Sequence, residues 1–250
     1  MKWSSIKNIM IGFLIFMNLA MLAIIIMVTL NKAYIPKEVV SSSLSVMRKS
    51  GFEISEDIFP DKYYTWPSYT AQFYSASDLS DLFFKTQVPF RTEADTLVGT
   101  QGIAVLTVGD NYFSYDSGYR AKENVSVKAL RRALEKTGFD MTDTGYDEKN
   151  GRFYKMHNGA NLFDMTLEAK LDDNGDVCFV KAHWPKKLIK GERKTISFID
   201  SIPKLKDAFP NGGTVKKIEL GYSLHALGGD NFLFSPSWRV KVGSVQKVIE

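Results

Sequence analysis

The longest unbroken apolar pattern lies near the start of the chain. From Asn8 to Asn31 there is no charged residue. As a helix, residues 9–30 would span about 33 Å, against roughly 30 Å of bilayer hydrocarbon. The pattern predicts a transmembrane helix over 9–30, with residues 1–8 as a short cytoplasmic tail. The run is longer than the about 7–15 residues of a secretory h-region, and no small-x-small cleavage site follows it. The segment therefore reads as an uncleaved anchor. No later stretch is apolar enough for a second span.

Beyond the anchor, the period changes repeatedly. Val40, Leu44 and Met47 recur at helical spacing, with Gly51 as a stop. Residues 52–100 are aromatic and irregular and read as short strands and loops. "GIAVLTVGDNYFSYDSGY" reads as a hairpin around Gly109, Asp110 and Asn111. In "NVSVKALRRALEKTG", Val127, Leu130, Ala133 and Leu134 share a helical face; Ser126 or Asn124 can cap its start and Gly138 its end. "RFYKMH" reads as a strand next. Phe163, Met165, Leu167, Ala169 and Leu171 then alternate with polar residues, Asn174-Gly175 turns the chain, and Cys178, Val180, Ala182 and Trp184 alternate in turn. Alternation joined by Asn-Gly is a strong hairpin signal. A second round follows: helical spacing at Phe198, Ile199, Ile202 and Leu205, then strands "TVKKIELGYSLHA" and "FLFSPSWRVKVG". Helix followed by hairpin thus occurs at 124–184 and again at 196–242. The expected fold is α+β: a single N-terminal transmembrane helix, then an extracytoplasmic region of two helix-plus-antiparallel-sheet units, 31–122 and 123–250.

Average composition hides this division. The chain of 250 residues is 44% hydrophobic and 24% charged, with a mean hydropathy of −0.14. All 28 Asp and Glu follow the apolar run, and of the 32 Lys and Arg only Lys2 and Lys7 precede it. The remainder is close to neutral, which speaks against a nucleic-acid binder. Lys32, Lys37, Arg48 and Lys49 follow the run, so charge counting alone does not set its orientation. A short basic tail before an apolar run has the form of a signal anchor. That form places the N-terminus in the cytoplasm and the long C-terminal region outside. Cys178 has no second cysteine to pair with and fits a small buried hydrophobe.

Chemistry-bearing motifs are sparse. His157, His183 and His225 are far apart, none at metal-ligand spacing, and P-loop and Gly-x-Ser-x-Gly patterns are absent. "DDNGD" (172–176) lacks the distal Glu of a calcium loop and reads as a hairpin tip. Ser4-x-x-Lys7 and Ser201-x-x-Lys204 are too short to count alone. No enzyme activity, metal or cofactor is expected. Lys181–Lys194 carries six basic residues, Lys186, Lys187 and Lys190 among them, against one acid. It reads either as a docking surface for anionic lipid or an acidic partner, or as a solvated connector. The aromatic stretch 63–74, with Tyr63, Tyr64, Trp66 and Tyr69, is either a partner surface or core.

Within the apolar run, Asn18 and Thr29 fall together on a helical wheel, and Gly12, Ala20 and Ala23 cluster opposite. Small residues let a second backbone approach, and a carboxamide can hydrogen-bond across to a neighbour for about 0.6–2 kcal/mol. It can also bond back to its own helix. Trp3 suits an interfacial anchor.

"KWSSIKNIMIGFLIFMNLAML" resembles the start of the YycI family, and "FLFSPSWRVKV" (232–242) resembles that family's C-terminal strand with its Pro-x-Trp-Arg. Lys2 stands where the family carries an acidic residue. The resemblance implies an extracytoplasmic regulator in the cell membrane of a Gram-positive bacterium. It would work as a homo- or heterodimer with a YycH-like partner and modulate a WalK-like sensor histidine kinase through contacts of its membrane helix. The alternative is an anchored module that binds cell-wall polymer or peptide. An anchored hydrolase is a third reading.

Overall fold

The computed structural model describes residues 10–11, 13–22, 34–228 and 231–249. Its elements after the N-terminal segment are α1 (Lys37–Lys49), β1 (Phe52–Glu53), β2 (Tyr64–Phe73), α2 (Ala76–Phe84), β3 (Phe90–Glu93), β4 (Thr96–Gln101), β5 (Ala104–Val108) and β6 (Phe113–Asp116). There follow α3 (Val127–Thr137), β7 (Thr144–Asp147), β8 (Arg152–His157), β9 (Ala160–Leu171), β10 (Val177–Ala182) and β11 (Pro185–Ile196). The chain continues with α4 (Ile202–Ala208), β12 (Gly213–Gly228), β13 (Asn231–Val242) and β14 (Val245–Ile249).

The fold is mostly β, which corrects the expectation of two helix-plus-antiparallel-sheet units. The strands form a large mixed sheet in the order β11-β2-β13-β12-β9-β10-β6-β5-β4-β3, with β1, β7, β8 and β14 attached off that path. Among the described residues, β1 pairs with β12 and β12 with β9 in the parallel sense. The hairpins read from sequence are present as β5–β6 and β9–β10, but they continue into this wider sheet. Sequence alternation marks which face of a strand is dry; it does not say which distant strand lies alongside.

Among the described residues no helix is long and apolar enough to cross a membrane. This overturns the expected transmembrane helix as an element of the fold. Residues 10, 11 and 13–22 are helical. The remainder of the 9–30 stretch lies outside the described residues, as do Trp3, Gly12, Ala23 and Thr29.

The chain divides into two compact units interleaved along the sequence: 1–66, 195–218 and 240–249 in one, and 67–194 with 219–239 in the other. In the first, α1 buries Val40, Leu44 and Met47, the stripe read from sequence, and Gly51 ends it at φ 89°. Phe59 meets Phe198 edge to face at 5.6 Å. The parallel pair β1–β12 brings Gly213 N–H to the Gly51 carbonyl at 2.9 Å.

The second unit holds a hydrophobic core built from helix and sheet. Leu130, Ala133 and Leu134 of α3 pack with Phe153, Leu167, Val180, Ala182 and Trp184 from the sheet. Burying each large side chain contributes about 1.5–3 kcal/mol. The helix starts where Ser126 Oγ accepts the Ala129 N–H at 3.3 Å and stops at Gly138 in the left-handed region. Those are the caps its sequence announces. α2 opens with a reciprocal cap: Ser75 Oγ accepts from Asp78 N–H, and the Asp78 carboxylate accepts from Ser75 N–H.

Candidate functional site

Three places in the second unit bring chemically active side chains together. The first is a cleft of about 450 Å³ lined by Tyr146, Asn150, Tyr154, Asn161, Thr166 and Arg239, among others. β13 delivers Arg239, and its guanidinium lies 3.9 Å from the centre of the Phe163 ring and 3.2 Å from Asp164. Burial pulls its pKa below the ordinary value, while the carboxylates of Asp164 and Glu219 hold it up. Asn161 Nδ2 donates to Glu219, and Asn161 Oδ1 is buried with no protein donor. β7 and β8 form one wall, and Gly145 lets the Tyr154 ring lie flat across β7. The lining offers two guanidinium groups, Arg152 and Arg239, two carboxylates, Asp147 and Asp164, amide groups and aromatic edges. It suits a polar ligand.

The second place is a serine–histidine contact. Ser223 and His225 stand two apart on β12, so they share one face of the strand. Ser223 Oγ lies 2.9 Å from His225 Nε2 and 2.6 Å from Ser237 Oγ, which in turn donates to the Ser235 carbonyl at 3.1 Å. The distance is that of a nucleophile–base pair. Ser223 and Ser237 are buried, however, and neither Ser223 nor His225 lines the cleft above. Their bonds join β12 to β13, and we read them as a polar tie inside the sheet. Sequence scanning missed this pair because Ser-x-His has no motif status; the i, i+2 rule of a strand is the signal that would have found it.

The third place is β11, which the sequence left open between docking surface and connector. It is a strand at the end of the sheet path, bonded to β2. Lys187, Lys190, Arg193 and Lys194 are exposed, and Lys186 Nζ donates to Asp78 at 2.7 Å. Of the aromatic candidates, Tyr63 is exposed, Tyr64 and Trp66 are half-buried and meet edge to face at 6.4 Å, and Tyr69 is core. The Tyr69 hydroxyl accepts from Asn158 Nδ2, and its ring meets His157 and Tyr222 edge to face. Tyr69 alternates inward along β2, and so it offers nothing to a partner.

The remaining candidates from the sequence resolve locally. Asn18 Nδ2 donates to the Leu14 carbonyl at 3.0 Å, so its amide hydrogen bonds within its own helix. Ala20 is half-buried. Asp172 Oδ1 accepts from the backbone of Asn174 and Asp176, a hairpin tip closed on itself. Among the described residues no group of three His, Cys, Asp or Glu could hold a metal. Burial pushes the Cys178 thiol up, away from reactive thiolate.

The histidines give a pH prediction. Burial first, then Lys155, pulls the His157 imidazole down from its ordinary 6.5, with Asp143 opposing. Burial first, then Lys181, does the same to His183, with Asp164 opposing. As pH falls through 6.5 the unfolded chain takes up protons that the folded chain refuses, so stability declines; above that pH neither group contributes. The expected Tm is flat above about pH 7.5 and falls on acidification through pH 6. A His157→Gln/His183→Gln variant should show a shallower fall over that window by calorimetry.

No family model matches the chain, and no curated protein matches it. Nine solved chains do match. One is the crystal structure of an uncharacterized protein from Eubacterium rectale ATCC 33656, 13% identical, with a TM-score of 0.40 over 79% of this chain and 85% of that chain. A likeness of that size carries no argument about function.

Proposed function

We propose that the protein is a non-enzymatic, membrane-anchored regulator whose folded units lie outside the cytoplasm, bind a partner protein, and modulate a sensor histidine kinase. The observation that carries this is the state of the N-terminal segment. Met10, Ile11 and Phe13–Met17, with Leu19, Met21 and Leu22, stand 45–67% exposed on a helix whose described residues are apolar apart from Asn18. Such a helix is stable only against other apolar matter, and a lipid surface is one source of it. The partner and kinase enter from the resemblance of the chain's two ends to the YycI family. The basic β11 strand supports a partner-binding role.

The test is fractionation with a functional readout. The full chain should stay in membranes through alkaline carbonate, be shaved by protease on intact cells, and co-purify with its partner from detergent. Deleting residues 1–33 should release it and change kinase-dependent transcription. A full chain extracted by carbonate, or protected from protease in intact cells, would sink the proposal. The Arg239 cleft favours a second reading, an anchored module for cell-wall glycan or peptide. Binding of soluble cell-wall fragments that Arg239→Gln abolishes would move the assignment there.

A further inference from the structure

The charged edge of the sheet has a form that goes beyond a generic basic patch. β11 runs twelve residues from Pro185 to Ile196, and from Lys186 to Thr195 every residue but Leu188 is exposed. It carries Lys187, Lys190, Arg193 and Lys194 against Glu192 on the strand, with a fifth cation, Lys186, taken up by Asp78. Its neighbour β2 has no charged residue, so the adjacent strand does not neutralise it. Side chains tie β11 to β2: Ser68 Oγ donates to the Glu192 carbonyl at 3.2 Å, the Thr65 and Thr195 hydroxyls meet at 2.9 Å, and the absent side chain of Gly191 lets Ser68 approach. The opposite edge is unpaired by any strand among the described residues. A free edge offers alternate N–H and C=O groups to an incoming strand. Pro185 sits at the first position, so no proline interrupts the ladder.

We infer that β11 receives an extended acidic segment of a partner protein by strand addition, backbone bonding to backbone while carboxylates meet the lysines on both faces. This rests on the partner-binding reading above and names the surface. A second copy of the chain is the poorer occupant: two β11 edges laid together would oppose cation to cation, which is destabilising. Strand addition of this kind takes affinity from main-chain bonds and selectivity from alternate side chains.

The experiment uses the full chain in phosphatidylcholine nanodiscs and a labelled ten-residue peptide of alternating Glu and Val, read by fluorescence anisotropy. A matched peptide carries N-methyl groups at alternate backbone nitrogens. The expected result is saturable binding that weakens about tenfold on N-methylation, about tenfold in Lys187→Gln/Lys190→Gln/Arg193→Gln/Lys194→Gln, and further between about 0.05 and 0.3 M salt. Equal binding of the N-methylated peptide would reduce the strip to a charge patch and overturn strand addition. So would absence of peptide binding, whether or not vesicles of phosphatidylcholine with about 30% phosphatidylglycerol bind the same strip. Carbonate extraction of the same preparation reads anchoring separately, so an anchored chain that ignores the peptide sinks this inference and leaves the regulator reading standing.

Discussion

Trp184→Ala is expected to lower the stability of the second unit by about 4 kcal/mol, within the usual range for truncating a buried Trp. Trp184 is 1% exposed and belongs to the core formed with α3, Phe153, Leu167 and Val180. Its ring also carries the Lys155 ammonium at 5.5 Å. Lys155 is itself buried and holds the Asp140 and Thr142 carbonyls and the Asp140 carboxylate at 2.9–3.2 Å. Removing the indole leaves a cavity beneath a buried cation, so the transfer and cavity costs come with a loss of cation–π attraction. Trp184→Phe separates these contributions. The Trp184 Nε1–H is buried without a protein acceptor. Phenylalanine therefore discards an unpaired donor while keeping most of the apolar volume, and its cost is expected to be about 1–2 kcal/mol. Chemical denaturation of the two variants measures both. Equal losses would show that the indole's size does not matter, and that the core account of this residue is wrong.

Much of the second unit was legible because its signals are local. The caps at Ser126 and Gly138, the stripe on α3 and the alternation along β9 and β10 all depend on neighbours a few residues away. α2 was equally available and was missed. Ser75-x-x-Asp78 followed by Leu79, Leu82 and Phe83 is a helix-start pattern, but the surrounding aromatic residues and Pro67 drew the reading toward loops. The sheet was not legible. Pairing of β12 with β9 joins Tyr222 to Leu162, sixty residues apart, in a parallel sense that no turn motif encodes. Alternation restricted each strand to one wet and one dry face, and many partner choices satisfy that restriction. β11 shows the converse limit. Its run of charges has no period to mark it as a strand, because a two-sided exposed edge has no dry face to advertise.

The candidate sites divide along the same line. Lys186, Lys187 and Lys190 were found because charge density is visible without a fold. Arg239 was seen only inside a resemblance motif, and its place above Phe163 depends on the sheet order β13-β12-β9. Asn18 raised a question that the helix partly answers by itself: a carboxamide hydrogen bonded to Leu14 O lowers the cost of polarity in an apolar run, without demanding a second helix.

Gly221→Ala is expected to cost about 3 kcal/mol and to deform the Arg239 cleft, a large effect for one methyl group. Gly221 is buried on β12, and a Cβ there would lie 2.4 and 2.5 Å from Phe163 ring carbons and 2.6 Å from the Asn161 carbonyl oxygen. The ring cannot swing away freely, because Phe163 is 1% exposed and Arg239 lies over its centre. The carbonyl cannot yield either, since it belongs to the β9 backbone that pairs with Met156 through Asn161. The methyl group therefore pushes on two walls at once, the ring under the cation and the strand that presents the Asn161 amide. Gly159→Ala is the control. Gly159 has φ 79° but nothing within 4 Å of a built Cβ, so only backbone strain of about 1–2 kcal/mol opposes it. If overlap governs at Gly221, thermal unfolding will rank Gly221→Ala well below Gly159→Ala, and any ligand bound through Arg239 will lose affinity in the former alone. The reverse ranking would mean that β9 and β12 slide apart readily, and that the register placing Arg239 over Phe163 is loosely held.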